Sequence, residues 1–293
     1  MLSSDFINEL QVRLSDIYDT DIIINNSMPV SGGDINDAYK LVCEKHSFFI
    51  KLNKANKFPM MFETEAKGLD LLASSQEIDV PKVVLTGKSE DYAFLIQDYI
   101  KSELEMDDYW IDFGTRLARM HKHTNESFGL DYDNYIGSLP QNNAKHNSWN
   151  EFFINERMIP QINMARGAGL MSKPLIRSFE SLFAKIQDIF PEEPPALLHG
   201  DLWSGNFMTG NHGQAVIIDP AVYYGHREMD IGMTRLFGGF SFEFYDAYNE
   251  EYPLQPGWED RIEICNLYPL MVHVNLFGGG YLGSVENILS KYV

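Results

Sequence analysis

In the first third of the chain, short apolar runs are separated by turn residues. "DIIINN" (21–26), "DAYKLVCE" (37–44) and "SFFIKLN" (47–53) read as strands, and "PKVVLTGK" (81–88) with "YAFLIQDYI" (92–100) as a further pair. Between them, "MFETEAKGLDLLAS" has helical spacing, with Phe62, Ala66, Leu69 and Leu72 on one face. The opening "MLSSDFINELQVRL" patterns as an amphipathic helix and has neither the basic nor the apolar stretch of a signal peptide. After residue 100 the pattern turns helical. "DDYWIDFGTRLARMHKHT" starts acidic and ends basic, as the helix dipole prefers. "SWNEFFINERMIPQINMARGAGL" and "PLIRSFESLFAKIQDIF" follow as helices, and "ALLH" and "QAVIIDP" as short strands. The remaining C-terminal stretch is mostly helical, interrupted by "YPLQPGW" and "FGGGYLG". The pattern predicts an α+β chain of two lobes: 1–98 small and β-rich, 99–293 larger and mainly helical, with Gln97–Lys101 as a hinge.

Composition narrows the chemistry. With 293 residues the chain can bury a substantial core. A net charge of −19 repels nucleic acid and anionic membranes, so neither is an expected partner. A site that handles a polyanion in such a protein needs local cations or a metal to override the global field. Cys43 and Cys265 lie far apart and read as reduced core thiols, which points to the cytoplasm. No 18-residue apolar run is present to span a membrane. A monomer is the expected state.

The densest polar motif is "HGDLWSGN". It places His199, Asp201 and Asn206 in one loop, and Asp219 follows at the end of the apolar run "VIID". An Asx-rich turn would explain the loop alone. Phosphoryl transfer explains loop and strand together: it needs a carboxylate to take the proton of the attacking hydroxyl and oxygen ligands for Mg²⁺. Kinases write this as H-x-D, an Asn, then a metal-binding Asp, which is the order found here. A metal-dependent hydrolase would want further His ligands, and His212 and His226 lack a recognised spacing. Lys51, central in "SFFIKLN", is costly inside a strand unless paired. Glu65 falls on the apolar face of the following helix and is its candidate partner. Glu63 falls on the polar face, in register for an exposed pair with Lys67. Gly32 and Gly33, ahead of Lys51, suit a loop that approaches phosphate. The backbone of Gln97, Asp98 and Tyr99 is placed to meet an adenine edge. In "YYGHREMD", the residues Tyr223, Tyr224, His226, Arg227, Glu228 and Asp230 are too polar to be all core, so Tyr224, His226 and Glu228 are candidates for an acceptor pocket, while Arg227 and Glu228 could equally form a structural ion pair. Trp203, inside the loop, can pack on a sugar face.

These stretches, together with "IIDPAVYYGHREMDIGMTRLFGGF" and "MVHVNLFGGGYLG", resemble the fructosamine kinases (ketosamine-3-kinases) over nearly the whole chain. That family is a branch of the kinase-like phosphotransferases related to aminoglycoside and choline kinases. The resemblance implies a two-lobed protein-kinase-like fold. It also implies ATP- and Mg²⁺-dependent phosphorylation of the 3-hydroxyl of a ketoamine, free or on a glycated protein lysine, as a step in deglycation. Asp201 would be the base, Asn206 and Asp219 the Mg²⁺ ligands, and Lys51 with Glu65 the phosphate holders. Fructosamine and ribulosamine acceptors are not separated by any motif. A kinase for an aminoglycoside, choline or a metabolite sugar is the alternative enzyme, and a non-catalytic nucleotide-binding module the alternative class.

Overall fold

The computed structural model describes residues 2–30, 35–89 and 92–292. Strands β1 (Ile24–Pro29), β2 (Asp37–Cys43), β3 (Ser47–Lys54), β4 (Val83–Ser89) and β5 (Tyr92–Asp98) form one antiparallel sheet in the order β1-β2-β3-β5-β4. β1 starts later than "DIIINN" suggests. The N–H groups of Ile22 and Ile24 donate to Ser15 Oγ and Gln11 Oε1 of the preceding helix, and these side chains draw the strand's expected start toward that helix.

That helix, α1 (Ser4–Tyr18), is capped by Ser3 Oγ, which accepts from the Phe6 N–H. Its Leu10 and Leu14 pack on Phe48, Ile50, Leu52, Phe94 and Ile96 of the sheet. Side chains alternate across a strand, so the intervening residues Lys51, Asn53, Leu95 and Gln97 face the other side. There α2 (Met61–Ser74) covers the sheet with Phe62 and Ala66. Period two in β3 therefore sends Lys51 toward α2, and period 3.6 in α2 sends Glu65 back toward Lys51.

The rest of the chain is mainly helical. α3 (Tyr109–Met120) is followed by the hairpin β6 (Asn134–Ile136) and β7 (Leu139–Gln141). Next come α4 (Trp149–Phe152) and α5 (Ile159–Gly167), joined by a π-helical turn over Phe153–Met158, then α6 (Lys173–Lys185). Strands β8 (Ala196–Leu198), β9 (Phe207–Thr209), β10 (Ala215–Ile217) and β11 (Tyr223–Gly225) precede α7 (Glu228–Leu236), α8 (Phe242–Glu251), α9 (Trp258–Cys265), α10 (Leu267–Phe277) and α11 (Leu282–Leu289). Although "ALLH" and "QAVIIDP" both form strands, they pair with elements the pattern did not disclose: β8 with β11 and β10 with β9. α3 and α8 cross so closely that a Cβ at Gly114 would sit 2.2 Å from the Phe244 carbonyl oxygen. Around that crossing Phe113, Leu117, Leu202, Ile217 and Phe244 form an apolar core beneath the polar loop.

Candidate active site

Residues 199–206 connect β8 to β9, and the loop is tied down from below. The two N–H groups of His199 and Gly200 donate to the two oxygens of Asp230, at 2.7 and 2.9 Å. His121 Nε2 meets the same carboxylate at 3.2 Å, and its Nδ1 lies 2.7 Å from Tyr248 Oη. Asp230 is 1% exposed. Burial opposes its charge, yet the His121 hydrogen bond, the two imidazoles and the Gly200 N–H together hold its carboxyl below the ordinary value. His199 donates through Nε2 to the Ile218 carbonyl, so its Nδ1 is free to accept from the Asp201 N–H. Burial pushes its pKa down, against the pull of the Asp230 charge. Gly200 has φ +83, and a Cβ there would lie 2.1 Å from the Ala221 oxygen, so only glycine allows the loop this close to the segment between β10 and β11.

Asn206 Nδ2 donates to the Asp201 carbonyl and to its Oδ2, at 2.8 and 2.9 Å. This leaves Asp201 Oδ1 and Asn206 Oδ1 for other partners. Burial raises the Asp201 carboxyl well above its usual value. The Asn206 bond opposes this, while the charges of Asp219 and Asp230 add to it. Asp219 sits in the left-handed region (φ 55), which Asp tolerates better than most residues. Its Oδ1 is 2.5 Å from Lys51 Nζ, and Glu65 Oε1 is 2.6 Å from the same ammonium. Burial disfavours the Lys51 charge, but the two carboxylates outweigh it and raise its pKa. Glu63, by contrast, makes no ion pair among the described residues, and Lys67 lies over the Tyr132 ring rather than against Glu63.

Two cavities meet at this cluster. The first, about 380 Å³, is lined by Val30, Ala38, Phe49, Gln97, Asp98 and Tyr99 together with Met208 and Ile218. The second, about 410 Å³, is lined by Glu65, Asp201, the hairpin tip Tyr135–Ser138 and the α10 side chains Val272, His273, Leu276 and Phe277. Lys51, Asn206, Asp219 and Trp203 line both. Among the described lining residues, Lys51 is the only Lys or Arg, against Glu65, Asp98, Asp201 and Asp219. A phosphate placed here would need a further cation, and Asp219 with Asn206 Oδ1 is an oxygen donor set suited to Mg²⁺.

The structure thus gathers Lys51, Glu65, Gln97, Asp98, Tyr99, Asp201, Trp203, Asn206 and Asp219 around one pair of cavities. Gly32 and Gly33 lie outside the described residues. In Gln97–Tyr99, expected to meet an adenine edge, the N–H groups of Asp98 and Tyr99 are already bonded to Lys82 and Ser47 carbonyls. What faces the first cavity there includes the Gln97 side chain, 3% exposed, whose Nε2 has no hydrogen-bond partner among the described residues. The Trp203 ring lies against Gly205, where a Cβ would come within 2.4 Å of it, and meets Phe237 edge-on.

The segment "YYGHREMD" corrects the expectation drawn from it. Tyr223, His226, Arg227, Glu228 and Asp230 are all buried, and none of them lines either cavity. Their polarity is absorbed internally: Glu228 binds Arg261 at 2.6 Å and Arg227 binds Glu193 at 2.7 Å. His226 packs between Trp149 and Phe190, and burial lowers its pKa to about 4. Tyr224 pairs in β11 and bonds Gly129 through its backbone, also away from the cavities. The wall of the second cavity went unrecognised instead. "NYIGSLPQ" carries the Gly-Ser turn of a two-residue hairpin, and Gly137 has φ +59, so its shape was open to sequence reasoning although its place was not.

A sheet roofing a helical domain, with lysine, glutamate, a polar loop and a second carboxylate at the seam, defines a phosphotransferase of the protein-kinase-like fold. Solved aminoglycoside phosphotransferases share that fold. APH(9)-Ia in complex with ADP and spectinomycin matches at TM-score 0.53 and 17% identity, covering 100% of this chain and 95% of that one. The chain belongs to the fructosamine kinase family, whose model matches residues 7–293. It is 38% identical to a "probable ketoamine kinase" of Synechocystis over 92% of this chain and 90% of that one. It is 37% identical to the chloroplastic protein-ribulosamine 3-kinase of Arabidopsis thaliana over 90% and 81%. A Haemophilus somnus structure assigned to fructosamine-3-kinase matches at TM-score 0.88 and 27% identity, over 97% of this chain and 96% of that one.

Proposed function

We propose that the protein transfers the γ-phosphoryl group of ATP to the 3-hydroxyl of a ketoamine, a fructosamine or ribulosamine adduct, free or on a protein lysine. The observation that supports it best is the division of the cavities. Lys51, Asn206 and Asp219 stand at the seam between them, while Asp201 lines the second cavity and not the first. The nucleotide belongs in the first cavity, with its base beside Gln97–Tyr99, and the acceptor in the second.

Asp201 Oδ1 accepts the proton of the attacking hydroxyl, and the raised pKa of this carboxyl makes it a stronger base. Asn206 holds the other oxygen and so fixes the direction in which Asp201 points. Lys51, kept protonated and oriented by Glu65, meets the phosphate oxygens. Mg²⁺, held by Asp219 and Asn206, would supply the charge neutralisation that a lone lysine among four carboxylates cannot. Trp203 offers its ring to the sugar and shields the transferring group from water. We place the lobe boundary at 98/99 and the reaction in the cytoplasm, where the free thiols Cys43 and Cys265 stay reduced. No helix is long and apolar enough to cross a membrane among the described residues.

Solved aminoglycoside phosphotransferases share the fold alone, and no observation favours an aminoglycoside or choline as acceptor. The test is Asp201→Asn assayed with Mg·ATP and ribulosyl-lysine. Turnover is expected to fall on the order of 10²–10⁴-fold with Mg·ATP binding retained; wild-type turnover in the variant would remove Asp201 from the chemistry.

A further inference from the structure

The hairpin that walls the second cavity is anchored through two amide side chains that also reach the segment after Asp219. Asn134 and Gln141 are cross-strand partners, both buried. Gln141 Nε2 donates to Asn134 Oδ1 at 2.8 Å and to the Ala221 carbonyl at 3.1 Å. Asn134 Nδ2 donates to the Val222 carbonyl at 2.8 Å. Ala221 and Val222 follow Asp219-Pro220 and precede β11, so these two carbonyls lack a strand ladder. Both residues are buried, so without the amides their carbonyls would be left unpaired away from water.

The amides are themselves braced. Tyr268 Oη donates to Gln141 Oε1 at 2.7 Å, and Asn143 Nδ2 donates to Asn134 Oδ1 at 2.9 Å. Asn143 Oδ1 accepts from Arg157 Nη2 at 2.8 Å. Arg157 is fully buried and, among the described residues, has no carboxylate partner; carbonyl oxygens and the face of Tyr223, 3.9 Å away, hold it. It sits on the π-helical turn, a distortion that recurs at functional sites. At its other end the hairpin sends Tyr135 Oη to the Pro59 carbonyl, 3.0 Å away and just ahead of the helix that carries Glu65.

We propose that Gln141 is a positioning residue for Asp219. By fixing the Ala221 peptide it keeps Asp219 in its left-handed conformation with a carboxylate oxygen turned to the seam, in register with the acceptor wall that the same hairpin provides. The Lys51 contact restrains the Asp219 side chain, and the chain that follows is held at both faces of Ala221: its N–H donates to the His199 carbonyl at 2.9 Å, and its carbonyl accepts from Gln141, the one side-chain partner of the two. The consequence for rate rests on the phosphotransfer reading above.

The test is Gln141→Met, which keeps length and loses the donor, with Gln141→Glu as the alternative should the first not fold, and Asp219→Ala beside them. AMP-PNP binding is measured by calorimetry with Mg²⁺ and with EDTA, and kcat on ribulosyl-lysine in parallel. The expected result is binding unchanged in EDTA, a clear loss of the Mg²⁺-dependent gain, and kcat lower on the order of 10–100-fold, the scale of an ångström-sized misplacement. Wild-type values in Gln141→Met and Gln141→Glu alongside a defective Asp219→Ala would overturn the positioning role alone. Equal losses with and without Mg²⁺ would overturn it too, because they mark general loosening. An Asp219→Ala variant with wild-type binding and turnover would overturn the reading on which the inference rests.

Discussion

Asp230 offers the sharpest quantitative test of how the polar loop is held. In Asp230→Ala three donors lose their acceptor at once: the N–H groups of His199 and Gly200, at 2.7 and 2.9 Å, and His121 Nε2 at 3.2 Å. A hydrogen bond to a charged group contributes about 1.5–3 kcal/mol, and the contributions are not additive within one network. Removing one partner of a buried ionic cluster typically costs about 3–5 kcal/mol, so a loss of about 4 kcal/mol is expected. Asp230→Asn keeps one carbonyl oxygen but turns an amide N–H toward a backbone donor, and should cost about 2 kcal/mol. Urea titration at pH 7 measures both, and kcat measured where the variants remain folded reports the loop. If Asp230→Ala lost under about 1 kcal/mol and kept its kcat, the carboxylate would not be what holds the loop.

The other predictions concern the same architecture. His226 is buried neutral, with its pKa lowered from 6.5 to about 4, so the unfolded chain binds its proton first as pH falls. Its contribution to stability is complete above pH 6.5 and is lost on acidification toward pH 4, about 3 kcal/mol in all. Denaturant midpoints from pH 7 to 4 should fall less steeply in His226→Phe than in wild type; parallel curves would assign the acid limb to other groups. Gly200→Ala forces a Cβ against the Ala221 oxygen at positive φ. It should cost roughly 1–3 kcal/mol from backbone strain alone and lower kcat, which thermal melting and turnover together check.

Elements with a single clear period were legible in the chain. "MFETEAKGLDLLAS" became α2 with Phe62, Ala66, Leu69 and Leu72 buried, and "SFFIKLN" became a central strand. The same two periods brought Lys51 and Glu65 within 2.6 Å, because each residue's face is fixed by local geometry. "YYGHREMD" was misjudged for the opposite reason. Whether Glu228 is core or pocket depends on Arg261, and Arg227 on Glu193, partners 33 and 34 residues away in sequence that periodicity does not reveal. Burial of charge is a property of the pair, and a sequence shows only one partner at a time. Gln97–Tyr99, expected to meet an adenine edge, lines a cavity, but the occupation of its Asp98 and Tyr99 N–H groups depends on long-range contacts with Lys82 and Ser47. The hairpin that walls the second cavity was signalled by its Gly-Ser turn, yet nothing local says that Asn134 and Gln141 meet the chain after Asp219.

The central claim is phosphoryl transfer to a specific hydroxyl, and phosphorus NMR of the reaction mixture tests it most directly. Wild-type protein with Mg·ATP and, in separate samples, fructosyl-lysine, ribulosyl-lysine, kanamycin and choline should yield a phosphomonoester coupled to the sugar proton at C3, with the ketoamines only. It should disappear in Asp201→Asn. A phosphomonoester on kanamycin or choline, or on a ketoamine carbon other than C3, would contradict the account.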